Sequence, residues 1–339
     1  MTLKNASADQ NDEARPQMRA IVVRSFGGPE VLIMGDRPKP RAGPGEALVR
    51  LQAIGVNFSE VERRRGTYDP PRLPWTPGNE ASGIVEEVGE DVSSEWLGRR
   101  VAFWAPHTSG AYAEHASAPV EAFFHLVDGL DFSVAAALPV QGLTAYALSH
   151  SVTMLRAGQS ALVHAAAGGV GSLLVQLLRE RGVRVFGTAS SPAKRAFIES
   201  LGARALPYGP GLPQLARSAN GGNGLDAVFD SVGLATQADS LASLAPHGLL
   251  IFFGEASGSP KPIHPDELYE RSLSVGSFWL ATDPPARWAT ARQQLQQWVM
   301  EGRLRIMLGQ TFPLSQAAQA HHRLEQRETQ GKLLLIPQA

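Results

Sequence analysis

At 339 residues, with 43% apolar and 19% charged side chains, the chain is long for one hydrophobic core and too apolar for disorder, so two domains are expected. A formal net charge of −1 gives no electrostatic reason for a nucleic-acid or anionic-membrane partner, and neither is expected. The absence of cysteine excludes disulfides, thiolate nucleophiles and every zinc site that needs sulfur, and the nine histidines show no HExxH spacing.

The N-terminal MTLKNASADQNDEARPQ is polar, lacks the apolar core of a secretory signal, and reads as a leader over 1–17 before a first strand, MRAIVVR. No apolar run reaches the about 18 residues of a membrane helix, and a cytoplasmic location is expected. The first third is β-rich. Strand-like runs at 20–24, 46–56, 82–89 and 99–105 are separated by GDRPKPRAGPG (35–45) and YDPPRLPWTPG (68–78), which turn or extend the chain. Alone they predict a generic β-barrel-like domain and no chemistry.

Near residue 131 the pattern changes. DFSVAAALPVQGLTAYALS (131–149) is helix-like, with a break marked by Pro139 and Gly142. Strand-like ALVH (161–164) precedes a helix from Gly169 to Arg181, and VRVFGT (183–188) follows it. In SPAKRAFIESLG (191–202), Ser191 is placed to cap a helix, Pro192 opens it and Gly202 ends it. DAVFDSVG (226–233), GLLIFFGE (248–255) and SLSVGSFWL (272–280) supply three more strands. Strands alternating with helices predict parallel βαβ units and a doubly wound sheet. After Asp283-Pro284-Pro285 come a helix, ARWATARQQLQQWVMEG, a short strand region, another helix and a final strand, KLLLIP, expected to complete the first domain. His321 and His322 are adjacent on that later helix, where neighbours point about 100° apart, and read as a surface pair.

HAAAGGVG (164–171) contains Ala166-x-Gly168-x-x-Gly171, a G-x-G-x-x-G pattern with Ala in the first position. Gly168 would let backbone approach a pyrophosphate, Gly171 would let the helix pack closely, and the anion would sit at a helix N-terminus. Small residues for tight strand–helix packing are the alternative. The strand before, helix after and second strand beyond favour the dinucleotide. No Lys-Ser/Thr follows, which excludes a GxxxxGK[ST] loop. An NAD site usually ends its second strand on Asp or Glu. Here GTASSPAKR offers Ser190, Ser191, Lys194 and Arg195 and no acid, so NADPH is the expected cofactor.

Several stretches then resemble the zinc-independent quinone oxidoreductases of the medium-chain dehydrogenase/reductase superfamily. They are FGGPEVL (26–32), AIGVNFSE (53–60), GNEASGIVEEVG (78–89), GRRV (98–101), GAYAEH (110–115), LPVQGLTAY (138–146), HAAAGGVG, FDSVG (229–233), LIFFGEASG (250–258) and ETQGKLLLIP (328–337). The resemblance implies a GroES-like β-rich catalytic domain (18–138 with 283–339) and a Rossmann doubly wound parallel sheet (139–282). The superfamily's zinc-dependent alcohol dehydrogenases need a Cys and a Gly-His-Glu, where this sequence has Asn57 and Gly78-Asn79-Glu80. Zinc-dependent alcohol oxidation is thereby rejected and no metal is expected.

The resemblance implies hydride delivery from NADPH to a quinone or conjugated enone. It implies that Thr144, Tyr146, Gly169, Val170, Lys194, Tyr208, Ser231, Phe253 and Gly254 line the cofactor, with Arg327 and Lys332 reaching it from the catalytic domain. For Tyr146, Tyr208 and Phe253 an ordinary packed aromatic is the alternative. Asn57 and Tyr68 are the candidates beside the nicotinamide, able to hydrogen-bond the acceptor carbonyl as charge develops. A turn residue and a loop aromatic are their plainer readings. Bacterial quinone reductases often carry tyrosine where Glu62 stands, which questions a simple quinone specificity. An enoyl reductase acting on an α,β-unsaturated acyl thioester is the alternative, with Arg63-Arg64-Arg65 either a basic entrance or a solvated helix face. A non-catalytic NADPH-binding protein is the third reading. A homodimer through SLSVGSFWL is expected.

Overall fold

The computed structural model describes residues 15–105 and 110–337. The leader expected over 1–17 lies, up to residue 14, outside them. The chain forms two compact units. One comprises residues up to Leu126 with Thr311–Gln326 and Leu334 onward; the other is Val127–Gln310 with Arg327–Leu333. Among the described residues, no helix is long and apolar enough to cross a membrane.

The first unit is β-rich. Strand Glu46–Val56, buried along most of its length, pairs antiparallel with Glu80–Val88, which pairs with Arg100–Trp104, which pairs with Phe123–His125. His115–Pro119 also pairs with Glu46–Val56. Gln17–Val22 forms a two-stranded ribbon with Ile33–Pro38, so the start of the Gly/Pro segment expected to turn or extend the chain extends it. Pro38 is compatible because a terminal ribbon position need not donate to a second neighbour.

The second unit carries the doubly wound sheet. Its six strands are all parallel and lie in the order 204–207, 184–189, 160–163, 225–230, 244–252, 274–277. Ser160–Val163 is buried at every position, as a central parallel strand must be when helices cover both faces. The order reverses between 160–163 and 225–230. Ligands of such sheets bind there, beyond the carboxyl ends of the strands.

The units divide at positions other than those drawn from the sequence. Helix Ala289–Met300 sits with the 138–152 helical segment: the Tyr146 hydroxyl donates to Gln294 Oε1 at 2.7 Å, and Val127 N–H to Gln296 Oε1 at 3.2 Å. Buried Leu295 lies against Gly142, so 127–138 and 283–310 group with the parallel sheet. That helical segment is not uniform. π-helical turns at Leu138–Gly142 and Leu148–Val152 flank an α-helical turn at Leu143–Ala147.

Candidate active site

The glycine loop lies where the strand order reverses. After Val163 the backbone turns through Ala165, whose φ of +50° is a left-handed conformation that costs a non-glycine residue free energy. Its N–H donates to the Tyr208 hydroxyl at 2.8 Å, and Ala166 N–H donates to the Thr188 carbonyl at 3.1 Å. Gly331 N–H donates to the Ala167 carbonyl at 3.1 Å, which lays the 327–333 segment along the loop. Gly168 is the N-cap of helix Gly169–Glu180, and the first N–H groups of that helix have no intrahelical acceptor.

The three glycines are not equivalent. A Cβ on Gly171 would fall 2.5 Å from the Ala165 carbonyl oxygen, and one on Gly169 would fall 2.1 Å from the Gln141 carboxamide. Backbone packing therefore demands Gly171, whereas at Gly169 the clash is with the end of a flexible side chain. A Cβ on Gly168 would meet only the Ala165 oxygen, at 3.2 Å, and its φ of −80° suits any residue. This is the least crowded of the three, with one tight contact, and it lies at the positive end of a helix dipole. The loop fits the pyrophosphate of a dinucleotide.

A buried polar chain supports the loop. His164 is fully buried, with Nδ1 3.0 Å from Thr188 Oγ1 and Nε2 3.0 Å from Ser240 Oγ. The Ser240 hydroxyl donates to Asp230 Oδ2 at 2.6 Å, so it accepts from His164 Nε2–H, which fixes the tautomer. Asp230 Oδ1 accepts from the Val232 and Gly233 N–H groups and the Thr236 hydroxyl. Burial lowers the His164 pKa, partly opposed by Asp230 and Asp239, and favours the neutral ring. Motif spacing gave no sign of this chain, which ties together the ends of three strands.

Around this frame the structure gathers most of the expected cofactor residues. The strand 184–189 ends at Ala189-Ser190-Ser191, and Ser191 Oγ caps the next helix by accepting from Lys194 N–H at 3.3 Å. Lys194 Nζ donates to the Arg327 carbonyl at 2.6 Å. Burial, then the Arg327 charge, holds the Lys194 pKa below its ordinary value. Phe253 N–H donates to the Asp230 carbonyl, and a Cβ on Gly254 would lie 3.0 Å from the Ser231 carbonyl oxygen, so these turns meet. Thr144 is buried on a helical turn that packs against Gly169–Glu180, whose first turn carries Val170.

Three of the expected residues are also packed or bonded within the chain. Tyr208 holds the loop through Ala165 and stacks on His164 at 5.8 Å. The Tyr146 ring stacks on His150 at 4.6 Å, with its hydroxyl on Gln294. Lys332 is buried, and with Arg327 it groups with the parallel-sheet unit, not with the β-rich unit expected.

The first unit holds Asn57, Tyr68 and Glu62. Asn57 caps helix Phe58–Arg65, its N–H donating to Glu60 Oε2 at 2.8 Å. Its Nδ2 donates to Glu80 Oε1 at 2.8 Å and lies 3.5 Å from Asn79 Oδ1. The three side chains where the zinc branch has Cys, His and Glu thus bond to one another. Carboxamide nitrogens are poor zinc ligands, and among the described residues no three His, Cys, Asp or Glu side chains converge; this donor set does not fit zinc. Half-buried Tyr68 follows the helix, next to Asp69. Arg63 holds that turn: its Nε donates to the Asp69 carbonyl at 3.1 Å, and its guanidinium lies 5.2 Å from the Trp75 ring centre. Glu62 is half-buried on the same helix.

The arginine triplet is neither a basic entrance nor a solvated face. Arg64 is fully buried, pairs with Glu325, donates from Nε to the Gly27 carbonyl and sets Nη1 3.4 Å from His321 Nδ1. Arg65 shares Glu325 at 2.8 Å. His321 is likewise buried, not on the surface as expected, with Nε2 2.9 Å from the Tyr112 hydroxyl. Helix Ala317–Glu325 turns inward Ala317, Ala320 and His321, a one-face spacing that adjacency with His322 obscures.

A family model described as an alcohol dehydrogenase GroES-like domain matches residues 43–128, and one described as a zinc-binding dehydrogenase matches 201–335. Quinone oxidoreductase of Pseudomonas aeruginosa is 37% identical over 327 residues, covering 94% of this chain and 99% of its own. A 2-haloacrylate reductase from Burkholderia sp is 34% identical over 337 residues, again covering 94% and 99%. Among solved structures, Escherichia coli quinone oxidoreductase complexed with NADPH superposes with a TM-score of 0.90 at 32% identity, over 94% of this chain and 100% of that one.

Proposed function

This chain belongs to the zinc-independent quinone oxidoreductases of the medium-chain dehydrogenase/reductase superfamily, and from that premise we propose that it uses NADPH to reduce quinones or conjugated enones. The observation that carries the reading is the Gly168 side of the loop, where a Cβ would meet a single atom of the chain, the Ala165 carbonyl oxygen at 3.2 Å, at a helix N-terminus. NADPH, when bound, supplies the hydride. Gly168–Gly171 hold its pyrophosphate, Lys194, Ser190 and Arg327 take the 2′-phosphate, and Thr144, Ser231, Phe253 and Gly254 shape the remaining wall. We assign Tyr208 and Tyr146, whose hydroxyls bond within the chain, and buried Lys332 to the support of that wall.

Without a Lewis acid, the acceptor must already be electrophilic. We assign Tyr68 and Asn57 to its carbonyl. A phenol O–H and an amide N–H stabilise the negative charge that develops there; Glu80 orients Asn57, and Arg63 holds the Asp69 turn beside Tyr68. A relative that reduces 2-haloacrylate supports extending the substrate class from quinones to other activated alkenes. The thioester alternative is weakened, because Arg64 and Arg65 pair with Glu325 and leave no three-cation entrance for a pantetheine phosphate. We further propose a cytoplasmic homodimer joined along the edge strand Ser274–Ser277. A monomer mass at micromolar concentration would refute the dimer.

Steady-state NADPH oxidation with a benzoquinone, enone and crotonyl-thioester panel tests the function. Quinones and enones are expected to turn over at least about tenfold faster than thioesters; the reverse order overturns the reading. Lys194→Glu is expected to raise the NADPH KM by about 10- to 100-fold, the scale of a lost hydrogen bond to a charged group, while the NADH KM stays within about twofold. Equal changes for both cofactors would remove Lys194 from the 2′-phosphate. Tyr68→Phe is expected to lower kcat by about 10²-fold with little change in the NADPH KM, as for one lost donor to a developing oxyanion. An unchanged kcat would return Tyr68 to the role of loop aromatic.

A further inference from the structure

Gln141 lies in LPVQGLTAY, one of the stretches that carry the family resemblance, but has no role assigned to it there. It lies in the π-helical turn Leu138–Gly142, and such turns recur at functional sites because they re-aim a side chain out of helical register. Its carboxamide rests directly on the first residue of the Gly169–Glu180 helix. A Cβ on Gly169 would fall 2.1 Å from each of Cδ, Nε2 and Oε1, so the head group sits where that glycine has no side chain. Gln141 is only 9% exposed, and among the described residues its carboxamide has no hydrogen-bond partner within the chain.

The residue is largely enclosed but its carboxamide atoms still reach solvent, so a head group that bonds nothing within the chain can exchange water for a ligand. The same helix end presents N–H groups with no intrahelical acceptor. The helix N–H groups and the carboxamide NH2 can both donate to an anionic oxygen. We propose that Gln141 is a cofactor-binding residue whose Nε2–H donates to the pyrophosphate held at this helix N-terminus. The inference rests on the NADPH reading above and adds a neutral donor to the loop's backbone groups. A neutral donor binds the anion without adding a charge that would have to be desolvated when the site is empty.

The test compares two ligands across three proteins. Dissociation constants for NADPH and for 2′-AMP, which carries the 2′-phosphate but no pyrophosphate, are measured for the wild type, Gln141→Leu and Gln141→Glu. Leucine keeps the bulk against Gly169 and removes the donor. It is expected to weaken NADPH about 10- to 100-fold, the range for a hydrogen bond to a charged group. Glutamate sets a carboxylate against the phosphate and is expected to weaken NADPH further. Binding of 2′-AMP is expected to stay within about twofold of wild type in both variants.

Unchanged NADPH affinity in Gln141→Leu would overturn the inference, and so would a parallel loss of 2′-AMP, which would mark general damage to the unit. Wild-type protein that binds no NADPH would overturn the cofactor reading and this inference together. Wild-type binding that both variants share would overturn this inference alone.

Discussion

Glu325→Ala is expected to destabilise the folded chain by about 3–5 kcal/mol, the cost of leaving one partner of a buried ion pair uncompensated. Arg64 is fully enclosed, and Glu325 is the carboxylate that it and Arg65 share. The urea midpoint should fall accordingly with little change in slope. The double variant Arg64→Met/Glu325→Leu removes both charges and should recover much of the loss, because an apolar pair needs no desolvation of ions. A loss below about 1 kcal/mol for Glu325→Ala would show that solvent reaches Arg64.

The same cluster makes stability depend on pH. Burial, reinforced by the Arg64 charge, lowers the His321 pKa from 6.5 to about 3, so the ring is neutral in the folded state. Below pH 6.5 the unfolded chain takes up a proton that the folded chain refuses. Protons bound to the unfolded state exceed those bound to the folded one, so stability falls as pH falls, until the folded-state pKa is reached. His321 alone should contribute a slope of about 1.4 kcal/mol per pH unit between pH 6.5 and about 3. His321→Gln offers an acceptor to Arg64 and a donor to Tyr112 but does not titrate. It should flatten the dependence; an unchanged slope would assign the acid sensitivity to other groups.

This cluster also marks where local sequence stopped being informative. Elements with strong periodicity were legible: Glu46–Val56 was read with the observed limits, and Gly169–Glu180 and Pro192–Ser200 were read to within two residues, because caps, glycines and apolar spacing are local signals. The loop and its acid-free neighbour were legible for the same reason. Arg64 and Glu325 are 261 positions apart, and nothing near either predicts the other. Arg63-Arg64-Arg65 looks like surface until the fold closes over its middle member. The His164–Ser240–Asp230 chain joins residues of three segments, and Gln141 acts through a π-helical turn that propensity does not foretell. Tyr146 and Tyr208 show the converse limit. Sequence placed them near the cofactor loop, and the hydrogen-bond partners of their hydroxyls decide what each does there.

The loop's glycines should separate by experiment into one that serves the ligand and one that serves the fold. Gly168 has extended backbone that any residue adopts, and its Cβ would meet only one carbonyl oxygen, so Gly168→Val should fold with a loss of about 1 kcal/mol or less, mainly from a poorer N-cap. Its side chain would occupy the space through which the pyrophosphate approaches, and displacing a bound group by about 1 Å is enough for a 10²-fold effect. NADPH affinity should therefore drop at least about 100-fold, and with it the thermal stabilisation that saturating cofactor gives. Gly171→Ala should do the opposite. Its Cβ would stand 2.5 Å from the Ala165 oxygen and 2.8 Å from the Ala166 Cα, backbone atoms of a turn already held at positive φ, so overpacking should cost about 1–3 kcal/mol. Whatever Gly171→Ala protein folds should still be stabilised by NADPH, because the Gly168 side of the loop is intact. Wild-type affinity in Gly168→Val would mean that the space beside that residue is not where the anion sits, and the cofactor reading would lose the observation that carries it.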